Sequence, residues 1–221
     1  DSMTDKEIVK TLIPFFNDIY AWRIIRNTLL LSLYQLIFSF PLPILLALSL
    51  NELRGKVFKK TVQSITYLPH FISVVVICGM VVEFTSHSGL INDIVEMLGG
   101  ERVSFLLDPK YFRTVYVSTG IWQTMGWDSI IYLAALTAVD VELYEAASID
   151  GASKVKQTFH VTLPGIIPTI TIMFIMRTGS LLSVGYEKII LLYNDMTRET
   201  ADVISSYVYE RGLLDADYSY S

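Results

Sequence analysis

Residues Thr28 to Leu50, TLLLSLYQLIFSFPLPILLALSL, run without a single formal charge. The hydrocarbon core of a bilayer is about 30 Å thick and takes about 20 helical residues to cross, so this stretch is long enough to span it. Three more apolar segments follow: roughly Ile65 to Phe84 with Glu83 at its edge, Val115 to Val139 interrupted by Asp128, and Ile166 to Tyr193 carrying Arg177, Glu187 and Lys188. One such segment would fit the core of a soluble protein. Four in series, separated by polar loops, read as membrane spans. The composition agrees: 18% of residues are charged and 52% hydrophobic, where about a quarter of a soluble domain is charged. No segment alternates with the period of two that a membrane barrel requires. The expected fold is all-α and polytopic, one membrane domain over residues 1–221.

Charge narrows the partners. A net charge of −5 argues against nucleic acid, which calls for clustered lysine and arginine. Cys78 is the only cysteine, so no internal disulfide is possible. The opening DSMTDKEIVK is polar and acidic rather than signal-like, and the chain does not begin with Met. It reads as a piece of a longer protein. Between the first two spans lies NELRGKVFKK, which crowds Arg54, Lys56, Lys59 and Lys60 into one short connection. The positive-inside rule makes this loop cytoplasmic. Alternation then places 1–27, 85–114 and 194–221 outside and 140–164 inside. The outer segments are acidic, with Asp93, Glu96, Glu101 and Asp108 in one and Glu199, Asp202, Glu210, Asp215 and Asp217 in the other.

The inner loop contains YEAASIDGASKVKQTFHVTLPG, residues 144–165. Leu143 to Ile149 is rich in helix formers. Gly151 is placed to end that helix in the left-handed conformation. Ala152 to Thr162 suits a second helix, with Val155, Phe159 and Thr162 on one face. Pro164 fits the first turn of the next. A short helix, a glycine corner and a second helix form either a knob for a cytoplasmic partner or an amphipathic linker on the membrane surface.

The spacing of Glu145, Ala146, Ala147, Gly151, Val161, Leu163 and Pro164 resembles the EAA loop of ABC importer permeases. Asp150, Ala152 and Phe159 extend it to the longer form common in sugar permeases. RNTLLLS near residue 26, YLPHFIS at 67–73, SIIYLAAL at 129–136 and TLPGIIPTI at 162–170 also look like type I permeases for complex sugars and polysaccharides. The chain departs from the pattern in having Val141 for a proline and Val161 for an isoleucine. Against the six spans usual in such permeases, four are read here, so one further span is expected on each side.

The resemblance implies a permease subunit of a bacterial plasma (inner) membrane importer, paired in a heterodimer with a second permease. An ATPase dimer would grip the 140–164 loop from the cytoplasm, and an extracytoplasmic binding protein would deliver oligosaccharide. The small side chains of Ala146, Ala147 and Ala152 would let the partner approach, Glu145 would meet a basic group, and Leu163–Pro164 would set the angle of return into the membrane. No GxxxxGK[ST] motif occurs, so ATP would be bound by another chain and no cofactor is expected here.

Charges within spans are functional hypotheses by default. Asp128 and Arg177 lie at similar depth in their spans, facing a sugar path or pairing with each other. Trp122, Gln123, Trp127 and Tyr132 are the residue types that sugar recognition uses, although Trp and Tyr also mark membrane interfaces. His70, His87 and His160 make no metal or catalytic set. GLINDIVEMLGG, 89–100, reads as an amphipathic outer helix with Leu90, Ile91, Ile94, Val95 and Leu98 on its apolar side. The rival reading, a membrane scaffold or intramembrane enzyme, has few titratable groups to work with.

Overall fold

The computed structural model of the chain describes residues 19–53 and 55–214. Arg54, residues 1–18, Asp215, Asp217 and the closing ADYSYS lie outside the described residues. The described elements are helical: α1 (Ile19–Tyr34), α2 (Pro41–Glu52), α3 (Lys56–Tyr67), α4 (Val74–Thr85), α5 (Leu90–Met97), α6 (Pro109–Thr137), α7 (Val141–Ile149), α8 (Lys154–Gln157), α9 (Leu163–Gly179), α10 (Tyr186–Leu192), α11 (Arg198–Ala201) and α12 (Ile204–Tyr209), with short π and 3₁₀ turns among them.

Three stretches, Tyr20–Glu52, Val74–Met97 and Lys154–Gly179, are long and apolar enough to cross a membrane. The first covers the expected Thr28–Leu50 span, with a π turn at Gln35–Ser39 just before Pro41. The expected continuous span from 65 to 84 is instead broken. α3 stops at Tyr67, Leu68–Phe71 forms a 3₁₀ turn around buried Pro69, and Ser73 caps α4 by accepting from Val76 N–H at 3.4 Å. Proline has no N–H to donate, and serine offers the incoming helix an acceptor, so the break is written in Pro69 and Ser73.

The third expected span lies in α6, whose 29 residues reach about 44 Å but which is not among the three stretches apolar enough to cross. Its Gly, Ser, Thr, Gln and Asp content makes it the most polar of the long helices. The fourth expected span is cut short: α9 ends at Gly179, and α10 begins only at Tyr186. Arg177 therefore sits in the last turn of α9 rather than in mid-span. A cation there complements the negative end of the helix dipole.

The chain forms two compact units. One comprises residues 1–34, 73–119 and 181–221, the other 35–72 and 120–180. In the first, Ile24, Leu31, Ile77, Cys78, Phe112, Ile189 and Val203 are buried. Two residues of the RNTLLLS stretch tie it together. Fully buried Asn27 donates to the carbonyls of Glu199 (2.9 Å) and Asp202 (3.1 Å) and accepts from Arg113 Nη2 (2.8 Å). Thr28 Oγ1 accepts from Ile204 N–H at 3.0 Å. Tyr20 Oη donates to Asp202 Oδ2 at 2.7 Å, while burial pushes that carboxyl's pKa up. These bonds satisfy backbone groups that the short α11–α12 segment would otherwise leave bare.

The outer helix α5 keeps most of its expected apolar side, the side read as facing the outer membrane surface or a docked binding protein, out of the unit's core. Leu90, Ile94 and Leu98 are exposed, and Asn92 is the fully buried residue. Its amide donates to the carbonyls of Ser86 (2.7 Å) and Val103 (2.8 Å) and accepts from Val103 N–H (2.8 Å). Satisfying the loop's backbone outweighs apolar packing at that position.

In the second unit Ala47, Tyr132, Leu136 and Ile166 form the buried centre, flanked by Ile44, Leu133, Val139 and Ile170 from α2, α6 and α9. At Gly126 the backbone of α6 touches the end of α3. A Cβ there would lie 2.0 Å from Thr66 O and 2.4 Å from Thr66 C.

Candidate functional site

The 140–164 loop folds as a built corner. Asp140 caps α7, its Oδ1 accepting from Glu142 N–H at 3.0 Å. At the other end Ala152 N–H donates to Ala147 O (2.9 Å) and Gly151 N–H to Ser148 O (3.1 Å). Those two bonds are a Schellman motif, and Gly151 has the left-handed φ of +74° that it requires. Both the helix and its glycine end were legible in the sequence.

The second helix differs from expectation. It begins at Lys154 after the cap Ser153, then passes through a π turn, Thr158–Thr162, where Leu163 N–H reaches back to Thr158 O. Pro164 has no N–H, so the helix path crosses this point with an inserted residue instead of a regular turn. The insertion breaks the expected common face: Val155 and Phe159 stay exposed while Thr162 is 2% exposed.

Two side-chain links, neither anticipated from sequence, hold the legs of the corner together. Tyr144 Oη donates to Thr162 Oγ1 at 3.0 Å. Buried Gln157 donates from Nε2 to Ser148 Oγ (3.0 Å) and Ala152 O (3.1 Å), and accepts from Lys154 Nζ (3.2 Å). A glutamine among lysines on a short polar helix gives no periodic signal, so only the fold reveals it. Outward stand Glu145, Ala146, Asp150, Gly151 and Phe159, with Ile149 86% exposed at the tip. Ala147, Ala152 and Leu163 are half-buried, and Pro164 is exposed. Glu145 makes no ion pair among the described residues.

Gln157→Ala should loosen the corner without unfolding the protein. Three lost hydrogen bonds are worth about 1.5–4.5 kcal/mol together. Amide hydrogen exchange should rise several-fold across 141–153 and stay unchanged in α9. Unchanged exchange in the loop would show that Gln157 does not hold it.

Among the polar residues of the spans, Arg177 and Asp128 pair: Nη2 donates to Oδ2 at 2.7 Å, with the side chains 47% and 22% exposed. Of the aromatic and amide groups on α6, Trp122 and Trp127 are exposed and Gln123 half-buried. Tyr132 is 2% exposed and belongs to the packed centre of its unit. Among the described residues no three His, Cys, Asp or Glu side chains gather as a metal site.

A helical chain with three membrane-length apolar stretches and a structured polar corner fits a membrane transport subunit, and comparison with known proteins gives the class. Residues 24–209 match the family described as binding-protein-dependent transport system inner membrane component, and the chain belongs to that family. It is 44% identical over 214 residues to the polygalacturonan/rhamnogalacturonan transport system permease protein YteP of Bacillus subtilis (strain 168), covering 96% of this chain and 67% of that one. Protein LplB of the same organism is 43% identical over 94% of this chain and 65% of its own length. The chain thus spans about two thirds of these relatives. A permease chain from the crystal structure of a bacterial alginate ABC transporter, in complex with an alginate pentasaccharide-bound periplasmic protein, superposes with a TM-score of 0.91 at 48% identity, covering 95% of this chain and 73% of that one. These relatives are transport permeases rather than enzymes.

Proposed function

We propose that this chain is the permease subunit of an ATP-driven importer of complex, acidic oligosaccharides, moved by a separate ATPase through the 140–164 corner. The observation that carries this reading is the corner itself. A capped helix, a Schellman turn at Gly151 and a cross-linked second leg present Glu145, Ala146, Ile149 and Asp150 to the outside. A surface loop with no partner would not need two buried side-chain links to fix its shape. Small side chains permit close approach of a partner's walls, and an unpaired Glu145 suits a basic group across an interface. The acidic-sugar class rests on the relatives, one a polygalacturonan/rhamnogalacturonan permease and another from an alginate transporter. A second permease chain, an extracytoplasmic binding protein and surrounding lipid complete the proposed assembly. Trp122, Gln123, Trp127, Asp128 and Arg177 are the proposed path residues.

The experiment uses the complete complex. A Cβ at Gly151 meets no atom within 4 Å, so substitution there acts through backbone conformation alone. Gly151→Val should cost about 1–2 kcal/mol at the left-handed corner. The protein should stay in the membrane while the ATPase no longer co-purifies and sugar uptake collapses. Glu145→Lys should do the same by placing like charges together. Gly151→Asn, which tolerates the conformation, should keep most activity. Wild-type uptake and ATPase retention in both Gly151→Val and Glu145→Lys would sink the proposal.

A further inference from the structure

The stretches on either side of α3, Tyr20–Glu52 and Val74–Met97, are long and apolar enough to cross a membrane, while α3 itself is not among such stretches. Successive crossings leave and re-enter at one face, so α3 stays at that face.

Its sequence, KVFKKTVQSITY, sorts by side. With about 100° between successive residues, Val57, Phe58, Thr61 and Ile65 share one arc, and Leu68 continues it in the turn that follows. Lys56 and Lys60 border that arc, with Lys59 just beyond them. Val62 and Thr66 lie on a third side, where Thr66 meets the backbone of α6 at Gly126.

The apolar arc is left unpacked. Val57 is 81% exposed, and Phe58, Ile65 and Leu68 are 60% to 65% exposed. Lys56 and Lys60 are exposed and Lys59 half-buried, and none of the three forms an ion pair among the described residues. An exposed apolar strip marks a protein or membrane contact. A protein covering this strip would also have to bring carboxylates for three lysines. A leaflet that contains anionic phospholipid supplies acyl chains for the strip and phosphates for the lysines from one source. Lysine stems can lie along the edge of the strip while their ammonium groups stay among the headgroups.

We infer that α3 is an interfacial helix that docks on anionic phospholipid. The strip of Val57, Phe58, Ile65 and Leu68 sits against the acyl chains, and Lys56, Lys59 and Lys60 pair with headgroup phosphates. This rests on the importer reading above and names its lipid partner by class and place.

The test uses the full importer, with its ATPase and second permease, purified in mild detergent. Titrated with phosphatidylglycerol or phosphatidylcholine, the unaltered complex should retain phosphatidylglycerol in preference, read as bound lipid by native mass spectrometry. Lys56→Gln, Lys59→Gln and Lys60→Gln should each weaken phosphatidylglycerol binding about fivefold, and all three together about a hundredfold. Arginine at the three positions should keep the preference. The single changes leave two lysines in place, so the chain keeps its orientation in the membrane. A second readout addresses the strip. With Cys78→Ser and no other accessible cysteine in the complex, a bimane label on Ser64→Cys should be quenched in liposomes of phosphatidylglycerol brominated on its acyl chains. Equal retention of the two lipids, or a preference untouched by the triple change, would overturn the docking site. So would a label that brominated lipid cannot quench, which would put a protein chain over the strip. Each of these results leaves the importer reading standing. Absence of saccharide uptake by the unaltered complex would overturn that reading alone.

Discussion

Gly126→Ala should remove most of the folded protein from the membrane. The added Cβ would stand 2.0 Å from a backbone carbonyl oxygen and 2.4 Å from its carbon, and neither belongs to a side chain that can swing aside. Relief requires α6 and the end of α3 to part, which costs at least about 3 kcal/mol, the upper end of ordinary overpacking. That is a large share of the roughly 5–15 kcal/mol that holds a typical domain together. Since the Cβ alone makes the clash, Gly126→Ser should be nearly as harmful as Gly126→Val. Gly79→Ala is the control, because nothing lies within 4 Å of its Cβ. Membrane abundance and the thermal midpoint in detergent decide the matter. A Gly126→Ala protein as abundant and as heat-resistant as the Gly79→Ala control would mean that the helices do not cross this closely.

Breaking the Arg177–Asp128 pair ranks next. Arg177→Gln leaves a carboxylate within a span without its cation, and Asp128→Asn leaves a guanidinium whose Nη2 has lost a 2.7 Å partner. The isolated charge is the costly species, so each single change should harm more than both together. Because Arg177 is nearly half exposed, we expect about 1–2 kcal/mol for each single change, a factor of about 5–30 in abundance or uptake, with the double variant recovering most of it. Additive losses would assign the two charges separate duties.

How much of this was readable in advance depends on the range of the physics involved. Apolar runs, the Gly151 corner and the helix before it depend on neighbours a few residues apart, and the sequence displays them openly. The Arg177–Asp128 pair was legible as one of two alternatives, because two opposite charges in apolar surroundings have few other partners. The breaks at Pro69 and after Gly179 were local signals that length-counting overrode, since an apolar run does not have to be one helix. Gln157, Asn27 and Asn92 were hidden for another reason. Each is an amide whose partners are backbone groups brought close only by the tertiary fold, and nothing in their sequence neighbours marks them. The burial of Tyr132 was hidden on the same ground: which side of α6 packs is set by α2 and α9, not by α6 itself.

The π turn at Thr158–Thr162 has a mechanical side. It joins α8 to α9 without interrupting the helical path, so Lys154–Gly179 is one continuous helical element of 26 residues, about 39 Å along its path, with Pro164 and Pro168 inside it, the Gly151 corner just beyond one end and Arg177 in the last turn at the other. A continuous helix transmits displacement, where a flexible tether would absorb it. Whatever pushes Gln157 and its bonded neighbours sideways must be answered near Asp128, and the extra residue in the turn fixes how the two ends are rotated relative to each other. Deleting one residue from the turn would leave every side chain of the corner and of the ion pair present, yet turn one end against the other by roughly the 100° that separates successive residues on a helix. Force would still arrive, but aimed the wrong way.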